Sequence, residues 1–241
     1  MSKVERIAHR GANREFPENS LPAFLRAFER GADAIELDVH ATADGVVVVH
    51  HDAELGGYAN ELSGVPIADL TWNRLSAVRL ARDIGVPTLG DVLAATPPSA
   101  MVHVELKGSA IEAAVAAVIA RSSATCAVHS FDHAAVARFA RIAPDVPRGV
   151  LFDAATGVLA AMSAAGARDA WPSDSLIDGR LVDLVHGARG RVIAWTVNSG
   201  ARAAELARLG VDGICTDDVR LVDPSFDKSF DRSLDESLTR E

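Results

Sequence analysis

The sequence predicts an α/β fold, a (β/α)8 TIM barrel with an extra β-hairpin strand after strand 2. Three observations predict it. Eight short β-rich runs alternate with helical patterns, as a parallel sheet built from βαβ units requires. Charged residues recur at the C-terminal ends of the apolar runs, where barrels of this kind gather their active sites. Asp44-Gly45 separates two β-rich runs, a strong hairpin signal. A doubly wound open sheet is the alternative, but no glycine-rich phosphate loop follows the first run.

The strands are expected at about 4–9, 34–39, 101–106, 125–130, 148–152, 168–171, 191–196 and 213–216. Helical patterns run from Leu21 to Arg30, Ser109 to Arg121, Asp132 to Arg141, Ala155 to Ala165, Leu176 to Ala188 and Ser199 to Leu209. Ser109, Asp132 and Ser199 are suited to N-caps, and Arg30-Gly31 and Leu209-Gly210 to helix stops. The extra strand, Val46 to His51, follows the hairpin. With Asp44-Gly45 as its loop, Asp38 faces His51; with a loop one residue earlier, Glu36 does.

Composition bounds the function. A chain of 241 residues can be a single barrel, expected over 1–222, with a polar tail over 223–241. The net charge of -9 argues against a nucleic-acid partner and offers no basic anchor for anionic membranes. No apolar run nears the roughly 20 residues that span a bilayer, so no stable membrane insertion is expected. The first strand begins by Val4, which leaves no room for a signal peptide. Cys126 and Cys215 lack metal-ligand spacing and read as reduced core residues. The expected compartment is cytoplasmic.

The strand ends carry the chemistry. His9-Arg10 closes the first run, Glu36 and Asp38 lie in the second, His51-Asp52 closes the hairpin strand, and Glu105 and Lys107 close the next. Residues two apart on a strand share a face, and adjacent strands lie about 4.8 Å apart, so Glu36, Asp38 and Glu105 can converge on one ion. Three carboxylates without a cysteine favour Mg2+ or Ca2+ over zinc. Arg10 and Lys107 suit a phosphate clamp. His9 and His51 suit an acid–base pair for in-line displacement at phosphorus. His50 reads as packing or solvent-facing, and His103, His129, His133 and His186 as structural, His129 the nearest of these to a strand end. Asn19 reads as a helix cap, and Trp195 as barrel packing or an apolar wall against substrate.

These motifs resemble the glycerophosphodiester phosphodiesterase family. The resemblance rests on His9-Arg10-Gly11, Pro17-Glu18-Asn19-Ser20, Ile35-Glu36-Leu37-Asp38-Val39, Thr42, Asp44-Gly45 and Val48 to Asp52. It continues through Glu105 and Lys107, Trp195 to Asn198 and Gly210 to Asp217, covering about residues 4 to 220. It implies a (β/α)8 barrel, a divalent metal on Glu36, Asp38 and Glu105, and His9 and His51 as acid and base. The implied reaction converts a small-molecule glycerophosphodiester to sn-glycerol 3-phosphate and an alcohol. The chain departs from the family pattern after Asp52, where Ala53 to Tyr58 replace an arginine- and threonine-rich stretch and the insertion over the site looks short. Alternatives are a phosphodiesterase acting on a lysophospholipid or another phosphodiester, and a non-catalytic phosphodiester-binding relative. No apolar docking segment supports a lipid substrate, and binding alone needs no histidine pair.

The tail differs in kind. Ser225-Phe226-Asp227-Lys228, Ser229-Phe230-Asp231-Arg232 and Ser233-Leu234-Asp235-Glu236 repeat with period four. As a helix this segment would carry an apolar stripe fit for docking on the barrel or on a second subunit; as a frayed tail it would not.

Overall fold

The computed structural model describes residues 3–154 and 156–223, so the repeats of the tail and any oligomer contact through them lie outside the described residues. The chain runs β1 (Glu5–His9), α1 (Leu21–Glu29), β2 (Ala34–Ala41) and β3 (Val47–Val49), then α2 (Trp72–Leu75), β4 (Arg79–Ala81), β5 (Ile84–Gly85) and α3 (Leu89–Ala95). It continues with β6 (Met101–Leu106), α4 (Glu112–Ala120), β7 (Thr125–Ser130), α5 (His133–Ile142), β8 (Arg148–Phe152) and α6 (Val158–Ala165). It ends with β9 (Asp169–Pro172), α7 (Gly179–Gly187), β10 (Arg191–Ala194), α8 (Gly200–Leu209) and β11 (Gly213–Thr216).

Neighbouring strands β2-β6-β7-β8-β9-β10-β11 pair in parallel, and β1 pairs with both β11 and β2, which closes the barrel. Closure aligns Ala8 with Thr216 and His9 with Glu36, so the end of the last strand stands beside the end of the first. Ile7, Ala34, Leu151, Trp171, Ile193 and Cys215 form a buried cluster among the strands. Outer strand faces pack on helices; α1 sets Ala23, Phe24 and Ala27 against the sheet, and a fully buried Phe contributes roughly 1.5–3 kcal/mol. Cys126 and Cys215 are buried and free. No helix among the described residues is long and apolar enough to cross a membrane.

Three local expectations are corrected. The β2–β3 hairpin pairs Val39 with Val49 and Ala41 with Val47, a register between the two expected ones. Its loop has three residues, Ala43 to Gly45, with Gly45 at φ +81° and Thr42 bonded to Val46 across its base, a common alternative to the two-residue turn. His50, not His51, therefore lies opposite Asp38 and donates its backbone N–H to the Asp38 carbonyl at 2.9 Å. The cap of α1 is Ser20, whose hydroxyl accepts from the Ala23 N–H, and Asn19 is turned inward instead. Helix α4 starts at Glu112 without a side-chain cap, so Ser109 caps nothing. Asp132 and Ser199 do cap their helices.

Residues 53–88 form a packed excursion. It contains α2 and the β4–β5 hairpin, and its Leu55, Ile67, Leu70 and Leu75 form a satellite core with Val48 of β3.

Candidate active site

The charged strand ends meet at one mouth of the barrel. His9, Arg10, Glu36, His51, Glu105, Lys107 and His129 line a cavity there together with the apolar Phe131, Leu151, Trp171 and Trp195. Asp38 stands behind this lining and is buried. Every expected site residue is at this mouth.

Register explains the convergence. Asp38 pairs with Glu105 across β2–β6, and Glu105 pairs with His129 across β6–β7, so these three stand in one row of neighbouring strands. Glu36 lies two residues earlier on β2, on the same face. One donor atom each from Glu36, Glu105 and His129 lie within 4.8 Å of one another. Asp38 is not in that trio. Its Oδ2 accepts from Asn19 Nδ2 at 2.8 Å and lies 3.1 Å from Arg10 Nε, whereas its buried Oδ1 has no hydrogen-bond partner. Burial pushes Glu36 up, and the charge of Asp38 adds to it; burial does the same to Glu105, reinforced by Asp38 and Glu36. Arg10 and Lys107 answer only part of this negative charge. An unpartnered buried carboxylate oxygen within an oxygen-rich donor set fits a divalent cation.

Each histidine has a carboxylate behind it. His9 Nδ1 donates to Asp217 Oδ1 at 2.7 Å, and His51 Nδ1 donates to Asp52 Oδ1 at 2.7 Å. Lys107 Nζ donates to His51 Nε2 at 3.2 Å and lies 3.6 Å from Glu105 Oε1. This leaves His51 the tautomer whose Nε2 carries a lone pair. Burial lowers the pKa of His9, but the bond to Asp217 and the charge of Glu36 outweigh it and the net shift is upward. Burial likewise raises Asp217, yet bonds from His9, Asn13 and Asn198 hold its carboxyl well below the usual range.

The clamp is set by backbone turns. Arg10 adopts φ +55° and Asn19 φ +56°, uncommon for residues with side chains and typical of functional sites. The Arg10 N–H thereby donates to the Glu36 carbonyl at 3.0 Å, and the Asn19 N–H donates to the Arg10 carbonyl at 3.0 Å. The Arg10 guanidinium also bonds Glu18, at 3.1 Å to each oxygen. Trp195 donates its Nε1–H to the Trp171 carbonyl at 2.8 Å and meets Phe131 edge-on, so it both packs and walls the cavity.

Sequence reasoning gave no role to Asp52 and Asp217, and it read His129 as structural. Asp52 carried a signal, since it directly follows His51. Asp217 is brought to His9 only by closure of the barrel. His50 is buried, bonded to the Tyr58 hydroxyl and the Asp52 carbonyl rather than facing solvent.

Known proteins resemble this chain over nearly its whole length. Residues 9–221 match the glycerophosphoryl diester phosphodiesterase family. A glycerophosphodiester phosphodiesterase of Bacillus altitudinis is 30% identical over 236 residues, covering 90% of this chain and 95% of its own length. The crystal structure of a glycerophosphodiester phosphodiesterase from Agrobacterium tumefaciens superposes with a TM-score of 0.81 at 27% identity, covering 92% of this chain and 98% of that one. An Oleispira antarctica phosphodiesterase, solved with its product sn-glycerol-3-phosphate, shares the fold with a TM-score of 0.83 at 22% identity, covering 91% of this chain and 95% of that one.

Proposed function

The chain belongs to the glycerophosphoryl diester phosphodiesterase family, and from that premise we propose that it hydrolyses a glycerophosphodiester to sn-glycerol 3-phosphate and an alcohol. The observation that carries the reading is the pair of histidines, each oriented by a carboxylate on Nδ1, beside Arg10, Lys107 and the buried acids.

Glu36, Asp38 and Glu105 would hold the divalent cation, Mg2+ or Ca2+ on oxygen donors alone. That cation, when bound, neutralises charge on the phosphoryl oxygens as it develops. Arg10 and Lys107 hold the phosphate from the side, Arg10 as a fork and Lys107 as a point charge. His9 and His51 move the protons. One takes a proton from the attacking hydroxyl or water at its Nε2, and the other gives one to the leaving alkoxide. Asp217 and Asp52 keep each Nε2 aimed into the cavity. Trp195 and Phe131 shield the apolar part of the substrate.

His9→Ala and His51→Ala test this directly. Each should lower release of sn-glycerol 3-phosphate from glycerophosphocholine by about 10²–10⁴-fold, the share that acid–base groups contribute, while the bound divalent ion is retained. Wild-type rates in both variants would sink the assignment.

A further inference from the structure

Resting on the reading above, we infer that His129 is itself a ligand of the active-site cation, so that one imidazole nitrogen joins the carboxylate oxygens. His129 continues the row of Asp38 and Glu105 on the next strand, and parallel neighbours in one row present their side chains to the same face. Its Nε2 lies 3.7 Å from Glu36 Oε1, beyond hydrogen-bond length. Two donors on one ion with bonds of about 2.1 Å stand roughly 3–3.5 Å apart, so a small adjustment brings both onto a shared ion. As plain core the residue is poorly explained. It is 2% exposed, its Nδ1 has no hydrogen-bond partner, and its Nε2 faces the Glu36 carboxylate at 3.7 Å, too far for a hydrogen bond and near enough to share an ion.

The ring is also held in place for the task. It stacks on Trp171, with centroids 4.2 Å apart and planes within 4°. Trp171 reaches it from β9 across Gly149, which pairs with His129 in the β7–β8 register. A Cβ at Gly149 would lie 2.6 Å from Trp171 Nε1, so any side chain there would displace the indole from its place under the imidazole. His103 meets both rings of the stack edge-on, with centroids 5.0 Å from Trp171 and 6.4 Å from His129. A ligand whose rotamer is fixed by its neighbours is what a metal site needs.

A mixed nitrogen and oxygen donor set changes which ion is preferred. Carboxylates and water suit Mg2+ and Ca2+, whereas imidazole favours the later divalent transition ions. The site should therefore bind Co2+ in preference to Mg2+, through His129.

The test reads metal binding, not turnover. The full chain, stripped with EDTA, is titrated calorimetrically with Co2+ and with Mg2+, and the visible absorption of the Co2+ form is recorded; His129→Gln is treated alike. The substitution should weaken Co2+ by more than about tenfold, the least that loss of even a supporting group costs many metal sites, and should shift the visible bands. Mg2+ affinity should move by less than about threefold, because that ion draws little from imidazole. An unchanged Co2+ affinity and spectrum in a folded His129→Gln protein would overturn the inference. Should that variant not fold, the wild-type Co2+ protein labelled with 15N-histidine supplies the readout. A histidine resonance shifted by direct contact with the ion supports it, and none so shifted overturns it. If neither ion binds wild type, the metal reading itself fails, and this inference with it.

Discussion

His9 and His51 differ in how their carboxylates arrive, and that difference decides which substitution is informative. Asp52 is the chain neighbour of His51 and is mostly exposed, so its charge is screened by water. Asp217 reaches His9 across the β1–β11 seam, is held by Asn13 and Asn198 as well, and sits three-quarters shielded. Asp217→Asn should therefore act on catalysis through His9, as the loss of a positioning residue. The amide can present a donor to Nδ1 and select the wrong tautomer, which turns Nε2–H toward the substrate. Removal of the carboxylate also withdraws a group that raises the His9 pKa, so that pKa should fall. The expected result is a loss in kcat of about 10²–10⁴-fold with a smaller change in KM, and the limb of the pH–rate profile that reports His9 moved to lower pH. An unchanged kcat and pH profile would remove Asp217 from the account.

At the scale of elements, strand positions and their charged ends were legible because apolar runs and Asp-Gly turns act locally. Asp132 and Ser199 as caps were legible for the same reason, since a cap is a matter of a few residues. The hairpin register was not, because Asp-Gly fits two loop lengths and Thr42 decided for the longer by bonding Val46 across it. Helix α3 was missed because its buried residues, Leu89, Val92 and Leu93, find their place in the core beside Phe24 and Val47, residues distant from it in sequence. His129 was read as core for a related reason. A lone histidine in an apolar strand looks like core, and only the neighbouring strands show that Glu105 stands beside it. The acids, the histidine pair and both cations of the site carried short motifs and could be found; Asp217 could be given a role only once the last strand stood beside the first.

The whole molecule is tied together at the opposite end of the barrel from the site. Glu5 on β1 accepts from Arg191 on β10 at 2.6 Å and lies 3.2 Å from His103 Nε2 on β6, which joins three separated strands. Burial raises the Glu5 pKa, but the charges and bonds of His103 and Arg191 outweigh it and bring it from 4.5 to about 2. A depressed carboxylate contributes stability above its unfolded value and loses it as pH falls through its folded value. Glu5 should thus contribute up to about 3 kcal/mol at neutral pH, lost between roughly pH 4.5 and 2. Urea unfolding at pH 5.5 and 2.5 should show a steeper acid loss in wild type than in Glu5→Gln, and equal losses would remove Glu5 from this role. Such closure also places Glu36, Asp38, Glu105 and both histidines at one mouth. The decisive measurement is release of sn-glycerol 3-phosphate from glycerophosphocholine and glycerophosphoethanolamine by the full chain, first with EDTA and then with a divalent ion restored. No release is expected with EDTA, and recovery is expected on adding Mg2+, Ca2+ or Mn2+. Release that is indifferent to EDTA, or none from a folded protein with every ion, would contradict metal-dependent hydrolysis.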